Sequence, residues 1–302
     1  MWMNEGRDFA QDLDSRQGPM PASRQTGHLM PVGGETPARA WAVAPATTTD
    51  PALHGQRRFV HAQRKPARRG YSAGMCNLYH MAPRDHVERW FRTWLPEDYR
   101  EGAVGPYNSG IFIGGTASSP AARWGQWGMI APGSRSRRPA SRAILTNNAR
   151  AETVASRPTY RAAWKAGRRC LIPAAWYQEP NWETGRNIWW RLRRADGAPW
   201  ALAGLWSEWV DPASGEIVPS YTMITVNCDG HALLGRLHKP DPALPSDAQD
   251  KRSVVVVDEA DWRDWLEGDE SKARALLRPP DESLFDDGDR RRTDELLAHH
   301  RA

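Results

Sequence analysis

The sequence predicts an α+β protein whose core is a largely antiparallel, curved sheet flanked by short helices. Apolar runs of strand character crowd the chain after residue 170. Turn signals at Asp196-Gly197 and over 211–215 join them, where a doubly wound fold would need helical crossovers. Helical periodicity is confined to short stretches. The 302 residues are 40% hydrophobic, enough for a sizeable core.

Each element follows from local pattern. Val87, Trp90, Phe91 and Trp94 fall at helical spacing and predict an amphipathic helix over 84–94. Tyr160, Ala163 and Trp164 predict a second helix, with Pro158 near its first turn and Gly167 as its stop. Cys170-Leu171-Ile172 reads as a short buried strand. Residues 188–192 and 200–209 read as the two arms of a hairpin about Asp196-Gly197. The turn over 211–215 leads into a strand over 221–228. Another strand follows over 253–257, and Trp262, Trp265 and Leu266 mark a short helix. Trp90, Trp94, Trp164, Trp190 and Trp206 fit core positions at these periods.

The chain divides into three parts. Residues 1–74 are rich in Pro, Ala, Arg, Gly and Thr and lack a sustained apolar period, so they read as a disordered extension. Three accounts compete for this part: a flexible basic arm, a transit-like peptide, or a start codon set too early. The acids Glu5, Asp8, Asp12 and Asp14 count against a transit peptide. A start at Met75 is favoured, for a chemical reason given below. Residues 75–270 read as the folded domain, and 271–302 as a polar, charged tail.

Composition narrows the classes. A net charge of +5 suits an acidic partner such as nucleic acid. Three cysteines without CxxC spacing argue against a disulfide framework and a zinc ribbon. His80, four residues after Cys76, has no further ligands in view, so no metal and no cofactor are expected. Cys170 and Cys228, in apolar strand contexts, read as buried structural thiols. No apolar run approaches the ~18 residues of a membrane span, and no secretory h-region opens the chain. The expected setting is cytoplasmic and nucleoid-associated, with no membrane partner, as a monomer.

Five local patterns carry the chemistry. They are Met75-Cys76-Asn77-Leu78-Tyr79, Trp127-Gly128-Met129, Asn148-Ala149-Arg150-Ala151-Glu152, the stretch from Arg169-Cys170-Leu171-Ile172-Pro173 to Glu179-Pro180, and Leu237-His238-Lys239-Pro240. Gly204-Leu205-Trp206 and Ile224-Thr225 follow in the same order. This ordered set resembles the SRAP family, the SOS-response-associated peptidase-like proteins, over roughly residues 76–257. The resemblance implies the SRAP fold with its barrel-like sheet. It also implies a protein of the DNA damage response that senses abasic sites in single-stranded DNA and links itself to the sugar aldehyde through an N-terminal cysteine.

By that resemblance Cys76 is the linking cysteine, Asn148 and Arg150 come from the Asn-Ala-Arg-x-Glu motif, Glu179 is the catalytic carboxylate and His238 the catalytic histidine. Ala175 stands where the family has Asp, Pro180 where Trp is commoner, and Leu78 where many members have a phosphate-binding Arg. Without the resemblance, His231 and His238 are equal candidates. Glu152, Glu183 and Glu208 read as salt-bridge partners.

The chemistry explains the interest in Met75. An imine forms from a neutral amine, and an α-amine with pKa near ~7.7–8.0 is far more available at pH 7 than a lysine at ~10.4. A thiol on the same residue then closes a five-membered thiazolidine. At position 76 of the full chain the nitrogen is an amide and forms no imine, so the reading requires removal of everything before Cys76. In this scheme Glu179 takes a proton from the sugar hydroxyl and His238 gives one to the ring oxygen. Asn148 positions the sugar or Cys76, and Arg150 holds a phosphate. Arg161, Arg168 and Arg169 are further candidates to bracket the DNA, with Trp127 as a stacking wedge. The run Arg135-Ser136-Arg137-Arg138 reads as a solvated loop. Two other functions compete: a Cys-His-Asn thiol peptidase built on Cys76, His238 and Asn148, and a non-covalent single-strand-binding module.

Overall fold

The computed structural model describes residues 76–141 and 144–299; the expected extension 1–74 and the start at Met75 lie outside the described residues. The strands are β1 (Tyr79–Met81), β2 (Ala103–Val104), β3 (Ser109–Gly115), β4 (Pro120–Trp127), β5 (Asn148–Arg150), β6 (Arg169–Asn181), β7 (Ile188–Leu192), β8 (Trp200–Val210), β9 (Ile217–Asn227) and β10 (Arg252–Val254). The α-helices are α1 (Arg84–Phe91), α2 (Arg161–Lys165), α3 (Trp262–Leu266), α4 (Glu270–Ala275) and α5 (Gly288–His299). The fold is α+β, as expected.

Five strands close a barrel. β3 pairs antiparallel with β4, β4 runs parallel to β9, β9 pairs with β8, and β8 with β6. The ring returns from β6 to β3 at Leu171 and Ile113. Closure removes the edges that an open sheet would leave. The β3–β4 hairpin, which the sequence reading passed over, turns on reciprocal backbone bonds between Thr116 and Ser119. Gly110 of β3 is needed for close approach. A Cβ there would collide with the hydroxyls of Tyr79 and Tyr221, which bond each other at 2.5 Å in the buried core.

Strand β6 is the organising element. Its 13 residues serve two partner strands in succession along one edge. Arg169–Ala174 pair with β8, and Tyr177–Asn181 pair with β7, while β1 lies on the opposite side of the strand. Strands β7 and β8 therefore lie end to end along β6 and do not pair with each other. This corrects the expected hairpin about Asp196-Gly197. The turn exists, with Gly197 at φ 72°, but it belongs to an excursion between two strands on one edge. The excursion bonds elsewhere: Ala195 N–H donates to the Leu284 carbonyl and Asp286 N–H to the Arg193 carbonyl.

Those bonds also fix the C-terminal stretch. Residues 271–299, expected as a tail, carry part of α4 and all of α5. Phe285 packs on Trp200 with ring centres 5.2 Å apart, and Thr293 accepts the Trp190 indole N–H at 2.9 Å. Two anchors among charged residues dock the segment, which an average over composition does not register.

Helix α1 buries Val87 and Phe91 and is braced by an Arg84–Glu88 pair at 2.9 Å. It stops at Arg92, whose φ is 50°. The expectation that Trp90 and Trp94 belong to the core fails: Trp94 lies beyond the helix and is 86% exposed, and Trp90 is 37% exposed. Trp164 and Trp190 are buried, and Trp206 is half-buried against Phe112. Cys170 and Cys228 are buried free thiols, Cys228 with its pKa pushed up to about 12, chiefly by burial.

Candidate active site

Four of the predicted residues converge from four segments. Cys76 enters on the chain that leads into β1. Asn148 opens β5, which runs parallel to β9 with Asn148 opposite Met223. Glu179 sits in the outer half of β6. His238 follows a short 3-10 turn over Leu234–Arg236, and its segment is pinned by a bridge between Asn181 and Leu237.

The cluster lies within the protein interior. Cys76, Asn148, Glu179 and His238 are all buried, with Glu179 1% exposed. Asn148 Nδ2 donates to the Cys76 carbonyl at 2.7 Å. Its neighbour Asn147, which the sequence reading missed, reaches the same carbonyl at 3.3 Å and Asn77 Oδ1 at 3.2 Å. The doubled Asn147-Asn148 before Ala149 was the available signal. The Cys76 thiol donates weakly to the Leu78 carbonyl at 3.6 Å.

His238 is held in an unusual conformation. Its φ is 63°, its N–H donates to the Pro180 carbonyl at 2.6 Å, and its own carbonyl accepts from Lys251 Nζ at 2.6 Å. The buried Lys251 is a second residue missed from sequence. His238 Nε2 lies 2.7 Å from the Arg252 carbonyl, an acceptor only, so the neutral ring carries its proton on Nε2. Nδ1 then presents a lone pair, 3.7 Å from Glu179 Oε2. Burial drives the His238 pKa down to about 4, helped by the Lys251 charge and opposed by the bond to Arg252.

Burial acts on Glu179 in the opposite sense. It pushes the carboxyl pKa well above the ordinary value, against a lowering contribution from the Cys76 backbone N–H. The Cys76 thiol is also pushed up, by burial first and the Glu179 charge second. Burial thus favours the uncharged forms of Glu179, His238 and the Cys76 thiol alike.

The remaining candidates separate. His231 accepts the N–H groups of Leu233 and Leu234 on Nδ1 and bonds the Pro280 carbonyl through Nε2, a structural role that leaves His238 as the site histidine. Glu152 holds Arg252 in a two-bonded pair, Glu183 holds Arg236 likewise, and Glu208 pairs with Arg123. Arg150 is half-exposed and paired with Asp250 at 2.8 Å. Arg161 is exposed on α2, and Arg168 lies over the Trp206 ring at 5.4 Å.

Two expected DNA contacts are overturned. Trp127 is wholly buried, with its indole N–H on the Asn147 carbonyl and its ring edge-on to Tyr79, so it offers no face to a base. It sits where β4 meets β9, inside the barrel wall. Arg169 is buried too, and its guanidinium donates to the carbonyls of Trp265 and Gly268, tying α3 to the barrel. Among the described residues no His, Cys, Asp or Glu cluster suits a metal ion, and no helix is long and apolar enough to cross a membrane.

Comparison with known proteins identifies a family and structural relatives. The family model for SOS response associated peptidase (SRAP) matches residues 53–286. The abasic site processing protein YoqW of Bacillus subtilis (strain 168) is 26% identical over 157 residues, covering 52% of this chain and 63% of that protein. YobE of the same organism is 28% identical over 159 residues, covering 52% and 64%. HMCES of Xenopus tropicalis, also named an abasic site processing protein, is 26% identical over 158 residues, covering 47% of each. The chain thus spans less than two thirds of the length of these curated relatives. A crystal structure of a protein from Bordetella bronchiseptica superposes with a TM-score of 0.61 at 32% identity, covering 70% of this chain and 97% of that one. One from Bacteroides thetaiotaomicron, 20% identical with a TM-score of 0.54, shares the fold over 69% of this chain and 90% of its own.

Proposed function

The chain belongs to the SOS response associated peptidase (SRAP) family, and on that premise we propose that it processes abasic sites in single-stranded DNA by forming a covalent thiazolidine through Cys76. The observation that carries this reading is the buried cluster of Cys76, Asn148, Glu179 and His238. The names of the relatives, abasic site processing proteins, supply the substrate class.

The electrostatics refine the roles expected from sequence. With everything before Cys76 removed, its nitrogen becomes an α-amine facing Glu179, where the amide N–H now stands. Glu179 takes a proton from the ammonium form and leaves a neutral amine. The protonated Glu179 then delivers that proton to the sugar ring oxygen, while the free Nδ1 of His238 accepts the proton of the C1′ hydroxyl. Donor and acceptor are exchanged relative to the sequence expectation, because burial leaves His238 neutral at pH 7 and favours the acid form of Glu179. The amine adds to the freed aldehyde and water leaves, giving an imine. The thiol adds to the imine carbon and its proton passes to the imine nitrogen, closing the ring. Asn148 and Asn147 hold the Cys76 carbonyl, and with it both nucleophiles.

A thiol peptidase needs a depressed thiol pKa and a histidine beside the sulfur. Here the thiol is raised, and His238 is directed at Glu179 and Arg252. The peptidase reading is therefore the weaker one. The test compares residues 1–302 with a version starting at Met75. Each is mixed with single-stranded DNA holding one abasic site, run on a denaturing gel, and its N-terminal mass recorded. Adduct only from protein with Cys76 at its terminus supports the mechanism. Adduct from a chain that retains the preceding residues sinks it, and so does no adduct from either.

A further inference from the structure

Strands β6 and β7 have a second surface. Side chains alternate along β6, so Gln178 points away from the face that holds Glu179. There it joins Trp189 and Arg191 of β7, Arg193 just beyond the end of that strand, and Asp289 and Arg292 of α5 around a cavity of about 340 Å³. None of these six residues takes part in the Cys76 cluster.

The charges do not balance. Asp289 is the single acid against three guanidinium groups, and it is already engaged. Its Oδ2 accepts the Arg191 backbone N–H at 2.6 Å, and its Oδ1 lies 3.7 Å from Arg292. Among the described residues Arg193 has no side-chain ion pair or hydrogen bond. Arg191 has only the ring of Trp176 beneath it at 5.1 Å, a contact that leaves its N–H donors unused. Beside these donors Trp189 stands 51% exposed. Free guanidinium donors next to an open indole face match a ligand that carries an anion and a flat ring in each repeat, which is the chemistry of a nucleotide strand.

The groove is continuous with the segment that carries Cys76. His80 of β1 stacks on Trp176 of β6 at 5.3 Å, and Trp176 in turn carries Arg191 of β7. This row crosses three neighbouring strands from the chain just after Cys76 to the cavity. We propose that the groove is a docking track for the undamaged flank of the single-stranded DNA whose lesion enters at Cys76. Arg191, Arg193 and Arg292 hold phosphates and Trp189 stacks a base. The choice of DNA as the polyanion rests on the function proposed above; the groove itself does not.

The test measures fluorescence anisotropy of a labelled, undamaged oligothymidylate with the full chain across a range of salt. Each contact to a single-strand phosphate contributes about 0.7 to the log–log salt slope. The double variant Arg193→Ala/Arg292→Ala is expected to flatten the slope by about 1.4 on that basis. Trp189→Ala is expected to weaken binding roughly 10-fold at fixed salt, and Trp189→Phe to keep most of it. All three positions are exposed, and thermal denaturation checks that the variants fold as the parent does. Parent-like slope and affinity in the folded variants overturns the proposal. Competition by polyglutamate as strong as by oligothymidylate, with no response to Trp189→Ala, also overturns it and marks an acidic-protein surface. Groove-dependent binding in a protein that gives no adduct on the denaturing gel sinks the Cys76 reading and leaves the groove standing.

Discussion

His238 Nδ1 faces Glu179 Oε2 at 3.7 Å with both side chains shut off from solvent, so burial disfavours the charged form of each. The imidazole is neutral with its proton held on the Arg252 carbonyl, and the carboxyl keeps its own proton well above the pH at which an exposed one would lose it.

Glu179→Gln separates stability from chemistry. The folded pKa of Glu179 lies above the unfolded value near 4.5, so the fold binds this proton more tightly than the unfolded chain does. The carboxyl's contribution is therefore greatest below that value and declines as pH rises toward the folded pKa. The glutamine variant is expected to melt higher than the parent at pH 8, to converge with it near pH 4, and to lose adduct formation. A variant no more stable than the parent at pH 8 would show that the ionised carboxylate is well accommodated.

His238 acts in the opposite direction. Its pKa is about 4 folded against 6.5 in the ordinary state, so the fold favours the neutral ring. That contribution is complete above pH 6.5 and is lost as pH falls through the window from 6.5 to about 4. A shift of this size corresponds to about 3 kcal/mol. Urea denaturation of His238→Gln should show a flatter stability profile across that window; a profile parallel to the parent's would contradict the buried neutral ring.

Asn148→Ala removes the 2.7 Å donor from the Cys76 carbonyl and leaves only the longer Asn147 contact. The expected cost is about 1–3 kcal/mol of stability, the range for a buried acceptor left short of a partner. Single-turnover adduct formation should slow while affinity for undamaged DNA holds. Loss of affinity with an unchanged rate would assign Asn148 to the DNA instead.

Trp127 and Arg169 should behave as structural residues. Trp127→Phe forfeits the bond to the Asn147 carbonyl, and Arg169→Met leaves the carbonyls of Trp265 and Gly268 without their donor. Each is expected to cost about 1–3 kcal/mol in denaturation experiments and to leave the salt slope of DNA binding unchanged. Arg161→Ala, on an exposed helix face, should leave stability within about 0.5 kcal/mol. A drop in salt slope for Arg169→Met with unchanged stability would restore it to the DNA surface.

The four residues of the cluster were legible because each lies in a short motif whose order along the chain is distinctive. Local signals also placed α2, β9 and α3 close to where they stand. What stayed hidden was decided by distant partners. The turn at Asp196-Gly197 is a true local signal, but the pairing of its flanks was set by the length of β6, which seats β7 and β8 in series. Trp127 and Arg169 lie in basic, aromatic stretches that read equally well as DNA surface. Only barrel closure at β4–β9 and the docking of α3 turn them inward. Trp94 kept helical spacing on paper, yet the backbone leaves the helix two residues earlier at Arg92. The cavity on the outer face needed α5, whose charged sequence concealed a docked helix.

Because β6 is a stave of the barrel and the carrier of Glu179 at once, the chemistry is keyed to strand register. A slip of one residue would turn every side chain of β6 to the opposite face and present Gln178 or Pro180 where the acid belongs. Such a chain would hold an amide or a pyrrolidine ring at its centre. Under the function proposed for Cys76, reactivity toward a sugar aldehyde would double as a readout of correct closure, because the acid faces the cysteine only when the barrel shuts in the right register.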